Sequence, residues 1–361
     1  MGKKITYLFG AGASANALPV VRNLTDRFEI FCNHFLEYLK SKDSDDFTEV
    51  KNQQKEIITK IKKHYTIDTY ARKLYLQNPR LHTNEEYNLL VNYLSAYFIY
   101  EQLSIDSSLA CNKYLENLFG YTDIKTVHTE NVKKILTNFD YRYDSFFASI
   151  LKHNEENQLI IPNNINFISW NYDFQIEKAF MNFSGGNLDD AMLNLNVIGT
   201  PHITLEKPVT YSHLIKLNGT AGFVADNKFS TLFDFSEHEL NNNSFKILKE
   251  ILTSSTSKYQ NGLRFSWEKS NLSTHLIEQA QFKIEESEII VIIGYSFPYF
   301  NRETDRAVFK NALSHGDTKI YIQSAKEDID SISNRFMGVL PSAKVIPFTE
   351  LDQFLIPNEL E

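Results

Sequence analysis

The chain has 361 residues, 42% hydrophobic and 23% charged, with a formal net charge of −8, so it can bury a sizeable core and lacks the basic footprint of a general nucleic-acid binder. Cys32 and Cys111 are its only cysteines, which excludes a disulfide framework and a zinc site built on paired cysteines, and fits a reducing, cytoplasmic setting. Lys3 and Lys4 precede an uncharged run that imitates a secretory signal, but its apolar part, "ITYLF", is too short and two glycines follow it at once. The loose myristoylation pattern in "MGKKIT" is weaker than the reading of residues 4–9 as a buried strand. No segment approaches the roughly 20 apolar residues of a membrane helix.

In chain order, "KITYLF" reads as a strand, and after a glycine turn "RNLTDRFEIFCNHFLEYLK" sets Leu24, Phe28, Phe31, Phe35, Leu36 and Leu39 at helical spacing. The acidic break "SKDSDD" opens a long stretch of helical signals that includes "IDTYARKLYL", "EEYNLLVNYLSAYFIYEQL", "DSSLACNKYLENLF" and "SFFASILKH". Strands resume at 165–170, 209–217, 288–296, 318–323 and 343–348, several followed by helical patterns. Short apolar strands alternating with helices predict an α/β fold, a Rossmann-like parallel sheet with helices on both faces. Residues 1–40 and 156–361 would form this core, and 41–155 a large all-helical insertion or lid after the first βα unit.

Gly10, Gly12 and Ala15 satisfy G-x-G-x-x-G/A between strand and helix, where amides and the helix dipole can hold a pyrophosphate. The plainer alternative is a turn of small residues that allows close packing. A dehydrogenase would need an acidic residue about 20 positions on, after a second strand, and none is placed there. The lysine-containing P-loop is also absent. Three later stretches end strands on polar loops: "SWNYDF" with Asn171 and Asp173, "IKLNGTAGF" with Asn218, and "VIIGYSFP" with Gly294 and Ser296. In an α/β sheet such loops converge beyond the carboxyl ends of the strands.

Taken in order, "GAGAS", "WNYD", "KLNGT" and "GYSFP" resemble the sirtuin family, and most closely the bacterial sirtuin-like domains that degrade NAD in anti-phage defence. The segments 67–76 and 142–151 resemble the helical part of that subgroup. The resemblance implies that Gly10, Ala11 and Gly12 hold the NAD phosphates with Ser14 near them. It implies further that Asn171 faces the nicotinamide ribose and positions water, that Asp173 lies near the carboxamide, and that Gly294 and Ser296 line the adenosine side, with Gln323 and Ser324 as weaker candidates. Where the family reads Pro-Asp-Phe-Arg, this chain reads Pro19-Val20-Val21-Arg22, so Arg22 is retained in the nucleotide-binding set while the acidic residue is missing.

The four-cysteine zinc ribbon of protein deacylases is missing too, and both absences argue against a deacylase, so an NAD-dependent protein deacylase or ADP-ribosyltransferase ranks behind the other readings; no metal is expected. The family's catalytic histidine corresponds to Asn218, and a carboxamide cannot accept a proton near neutral pH. Three readings stay open: an introduced inactivating exchange, a natural NAD or ADP-ribose sensor, or a base supplied elsewhere. His213 lies on the opposite face of its strand from Asn218 and reads as an ordinary sheet histidine. Asp173 alone also reads as a helix cap, Asn171 as a turn residue, and the Asp173/Glu177 pair as a solvated helix face. The expected activity is NAD+ glycohydrolase in a homo-oligomer. With no sensor segment evident, the resemblance implies a separate trigger, a HerA-like ATPase partner.

Overall fold

A computed structural model describes residues 2–18, 21–42, 44–64, 66–79, 84–102, 139–199, 213–225, 228–230, 242–253 and 259–360. The helix expected at 106–119, and the start of the strand expected at 209–217, lie outside these residues. The strands are β1 (Ile5–Phe9), β2 (Lys152–His153), β3 (Leu159–Ile160), β4 (Ile165–Ser169), β5 (Leu214–Lys216), β6 (Gly219–Ala225), β7 (Lys228–Ser230), β8 (Tyr259–Leu263), β9 (Ile289–Ile293), β10 (Lys319–Gln323) and β11 (Val345–Phe348). The α-helices are α1 (Val21–Ser41), α2 (Phe47–Lys62), α3 (Ile67–Gln77), α4 (Glu85–Gln102), α5 (Arg142–Ile150), α6 (Gln175–Ser184), α7 (Leu188–Asn194), α8 (Asn242–Thr253), α9 (Asn271–Glu285), α10 (Arg302–Val308) and α11 (Ile329–Met337).

The chain divides into two compact units. Met1–Ala15, Asp140–Thr220 and Arg264–Glu361 make the first, and Asn16–Phe139 with Ala221–Leu263 the second. In the first, a six-stranded sheet runs in the order β11-β10-β9-β1-β4-β5, and its neighbours are parallel. This is the expected Rossmann-like α/β fold. β1, β4 and β9 are buried along their whole length, as strands covered on both faces must be.

Alternation along each strand builds two cores. Leu8, Ile168, Ile290, Ile292, Ile320 and Ile322 share one with Leu276 and Ile284 of α9, Val308 of α10, and Ile332 and Phe336 of α11. Tyr7, Phe9 and Phe167 face the other way, onto α5. There the Tyr7 and Phe146 rings meet edge to face at 4.8 Å, and Phe147 in turn packs on Phe180 of α6 at 6.1 Å. Burying each such ring contributes roughly 2–3 kcal/mol, so this aromatic face fixes α5 and α6 against the sheet.

Register positions the loops. Phe9 is level with Ser169 of β4 and Ile293 of β9, Ser169 with Lys216 of β5, and Ile293 with Gln323 of β10. The segments starting at Gly10, Trp170, Leu217, Gly294 and Ser324 therefore leave the sheet along one edge. From β1 the chain moves to β4 and β5 on one side, then returns to β9, β10 and β11 on the other, so the reversal falls between β1 and β9.

The second unit contains the helical part between β1 and β4. Residues Tyr93 to Gln102 of α4 are all buried, which makes it the central helix. Phe31 of α1 packs on Tyr100 at 5.2 Å, and Arg27 of α1 forms a two-pronged ion pair with Glu101. A small sheet, β7-β6-β8, joins these helices. Ser95 Oγ accepts the Gly222 N–H at 2.8 Å, and Asn261 Nδ2 donates to Val91 O at 3.0 Å, tying β6 and β8 to α4. The sequence pattern places the insertion at 41–155 and residues 221–263 in the core. The contacts group α1 and 221–263 with the helices, and residues 140–155 with the large sheet.

Candidate functional site

The glycine loop follows β1 as a short 3-10 turn, Ala11–Ser14. Gly10 N–H donates to Ile293 O and Gly12 N–H to Gly294 O, both at 2.9 Å. Gly294 has φ +64°, and a Cβ there would lie 2.3 Å from Ala13 N; one on Gly10 would lie 2.6 Å from Tyr295 Cα. The loops after β1 and β9 thus touch backbone to backbone, which only glycines permit. Close packing accounts for these residues whether or not a ligand binds. Ala11 and Ser296 are exposed at this edge, while Ser14 is buried.

Asn171, two residues beyond β4, is buried and joins the glycine loop. Its Nδ2 donates to Gly10 O at 3.0 Å and to Ser14 Oγ at 3.2 Å, while its Oδ1 accepts no hydrogen bond among the described residues. Ser14 Oγ also lies 3.3 Å from the Tyr143 hydroxyl of α5. Asp173 accepts the Gln175 N–H at 3.1 Å, closing a turn just ahead of α6, whose cap position is taken by Phe174 and not by Asp173 as its plainer reading expects. Its carboxyl is buried, and burial pushes its pKa up against the opposing Lys216 charge, the Gln175 N–H and the Ser14 hydroxyl.

Glu177 corrects the sequence expectation. In place of a solvated helix face, its side chain is fully buried and pairs with Lys216 Nζ at 2.8 Å; Lys216 also donates to Asp173 O and lies over the Phe174 ring. The alkyl and aromatic surroundings push the Glu177 carboxyl up and the Lys178 ammonium down to about 8, both through desolvation.

Asn218 sits in the tight turn between β5 and β6. Its Nδ2 donates to Trp170 O at 2.7 Å, its Oδ1 accepts the Ser266 N–H at 3.0 Å, and its carbonyl accepts the Arg264 N–H at 3.0 Å. The carboxamide therefore joins the loop carrying Asn171 to the segment after β8. His213 lies at the far end of the sheet, its Nδ1 3.2 Å from Ile165 O, in keeping with its reading as a sheet histidine.

Gly10, Ser14, Asn171, Asp173, Asn218 and Gly294 are thus linked along one sheet edge. Gln323 is used otherwise: its Nε2 donates to Glu350 O and Gln353 O at 2.5 and 2.6 Å, and its Oε1 accepts the Leu355 N–H at 2.9 Å. Ser324 N–H donates to Phe348 O at 3.1 Å. Arg22 lies on α1 in the second unit, and its side chain is outside the described part.

Sequence reasoning missed the supporting residues: Arg142 with Asp140, Tyr143, Lys216, and Tyr295, whose ring stacks on Trp170 at 5.0 Å and whose hydroxyl donates to Asp305 at 2.9 Å. Lys216 and Tyr295 stand inside the quoted "KLNGT" and "GYSFP", and Arg142 and Tyr143 inside 142–151, but the sequence attaches no role to them; Asp140 stands in none of these stretches. Among the described residues no group of three His, Cys, Asp or Glu could hold a metal ion, and no helix is long and apolar enough to cross a membrane. Compared with known families, curated proteins and solved structures, the chain has no significant match.

Proposed function

We propose that the first unit binds NAD+ across the reversal between β1 and β9 and hydrolyses its nicotinamide–ribose bond to nicotinamide and ADP-ribose. The observation carrying this reading is the bonding of Asn171 to Gly10 O and Ser14 Oγ, which sets an amide side chain against the glycine loop where parallel sheets take nucleotides. With both its donor hydrogens committed, Asn171 keeps Oδ1 to accept from a ribose hydroxyl or a water. In the reaction the ribose C1′–pyridinium bond breaks with its electron pair going to nitrogen. A water oxygen then bonds to C1′ and releases one proton. Nicotinamide leaves neutral, so orienting the bond, excluding bulk water and placing one water are the protein's main tasks.

Asn218 cannot take the proton, and loss of a positioned base costs roughly 10²–10⁴-fold. The second reading, a non-catalytic NAD or ADP-ribose sensor, is favoured by the Asn218 carboxamide, whose donor and acceptor are both engaged by Trp170 and Ser266. The resemblance to defence sirtuins extends the first reading to NAD depletion against phage, in the cytoplasm, by a homo-oligomer triggered by a HerA-like ATPase.

Calorimetric titration of the protein with NAD and with ADP-ribose tests the shared premise. Saturable binding, weakened at least tenfold in Asn171→Ala, is expected; an absence of heat with both ligands refutes it.

A further inference from the structure

We infer that Arg142 is a positioning residue that splints the glycine loop to the carboxyl-terminal segment 350–355, and so holds the loop in register for a dinucleotide diphosphate; the last clause rests on the NAD reading above. Arg142 opens α5, and its guanidinium is nearly buried. Nη2 shares one hydrogen between Gly12 O and Ala13 O, each at 3.1 Å, and Nη1 donates to Leu351 O at 3.3 Å. The fork is aimed by Asp140, whose carboxylate receives Nε at 2.9 Å and Nη2 at 2.6 Å, and Asp140 N–H donates to Gln175 Oε1 at 2.8 Å. Gln175 opens α6, directly after the Asn171–Asp173 loop.

One planar cation thus reaches three chain segments at once, which a rigid fork can do and a single ammonium cannot. In a trans peptide unit the C=O and N–H are opposed. Pinning the Gly12 and Ala13 carbonyls on Arg142 therefore fixes the direction of the amides that follow them. The segment 350–355 is itself secured: Gln323 bonds it at Glu350, Gln353 and Leu355, and Phe354 lies under the Arg142 guanidinium at 5.0 Å and against Tyr143 at 4.8 Å. Asp140 balances the buried charge, so the guanidinium acts through geometry more than through net field.

The test is hydrogen exchange of the full chain, resolved over residues 10–14 and 349–356, beside NAD titration. In Arg142→Lys both segments are expected to exchange at least tenfold faster together, with the rest of the sheet unchanged, and the NAD dissociation constant to rise about tenfold. Asp140→Asn, which leaves the arginine but removes its aim, should give the same paired loosening to a smaller degree. Loosening of one segment without the other, or an even rise over the whole first unit, overturns the splint. If the paired loosening occurs but the unaltered protein binds no NAD, the splint stands and the dinucleotide reading falls.

Discussion

Asp305 in α10 gives the structure a pH dependence that can be worked out. Its side chain is fully buried; Oδ1 accepts the Tyr295 hydroxyl at 2.9 Å, and Oδ2 has no hydrogen-bond partner among the described residues. Burial raises its pKa from 3.8 to about 8, against the lowering effects of Tyr295 and Arg302. The folded protein therefore keeps the carboxyl protonated where the unfolded chain ionises it. The stabilisation is fully present below pH 3.8 and is lost as pH rises toward 8. At about 1.36 kcal/mol per unit, the whole window corresponds to roughly 5–6 kcal/mol, of which about 4 is lost by pH 7. Asp305→Asn keeps an acceptor for Tyr295 and removes the titration. Urea unfolding followed by tryptophan fluorescence at pH 5, 6, 7 and 8 compares the two proteins. The stability difference should shift in favour of the asparagine variant by about 3 kcal/mol between pH 5 and 7. A difference constant across that range refutes the buried, neutral carboxyl.

Lys216→Met should cost about 3–5 kcal/mol by leaving Glu177 buried and unpaired, and adding Glu177→Gln should restore most of it; denaturant unfolding of both variants measures this. Gly294→Ala should lower stability by more than about 3 kcal/mol or prevent folding, because the new Cβ meets the glycine-loop backbone at a positive φ; thermal unfolding within a degree or two of the unaltered protein would contradict the backbone contact. Gln323→Leu should leave the sheet folded while making 349–356 exchange faster, since it removes the side-chain bonds to that segment; unchanged exchange there would contradict them.

The parts of this architecture that could be read from the sequence are those encoded locally. β1, β4 and β9 are continuous apolar runs ending in polar or glycine-rich loops, so both the sheet and the edge carrying Gly10, Asn171 and Gly294 were legible before their register was known. β6, β7 and β8 were not, because they lack a continuous apolar run or clean alternation, and β6 and β8 are completed by bonds to α4. Glu177 was misread because its neighbours on α6 look like a charged face, while the lysine that draws it inward comes from β5. Gln323 was correctly placed at a strand end, but the direction of its side chain is set by a segment far along the chain. Arg142 and Asp140 carry no spacing signal at all; their role exists only once the fold brings Gly12 and Leu351 to them.

The most direct test of the central claim is nicotinamide release from NAD by the protein and by its Asn218→His variant, at matched concentration, with and without a candidate ATPase. The account predicts release that rises at least a hundredfold with histidine at that position. Tight NAD binding by both proteins without nicotinamide release under any condition would contradict hydrolysis and leave the site as a dinucleotide sensor.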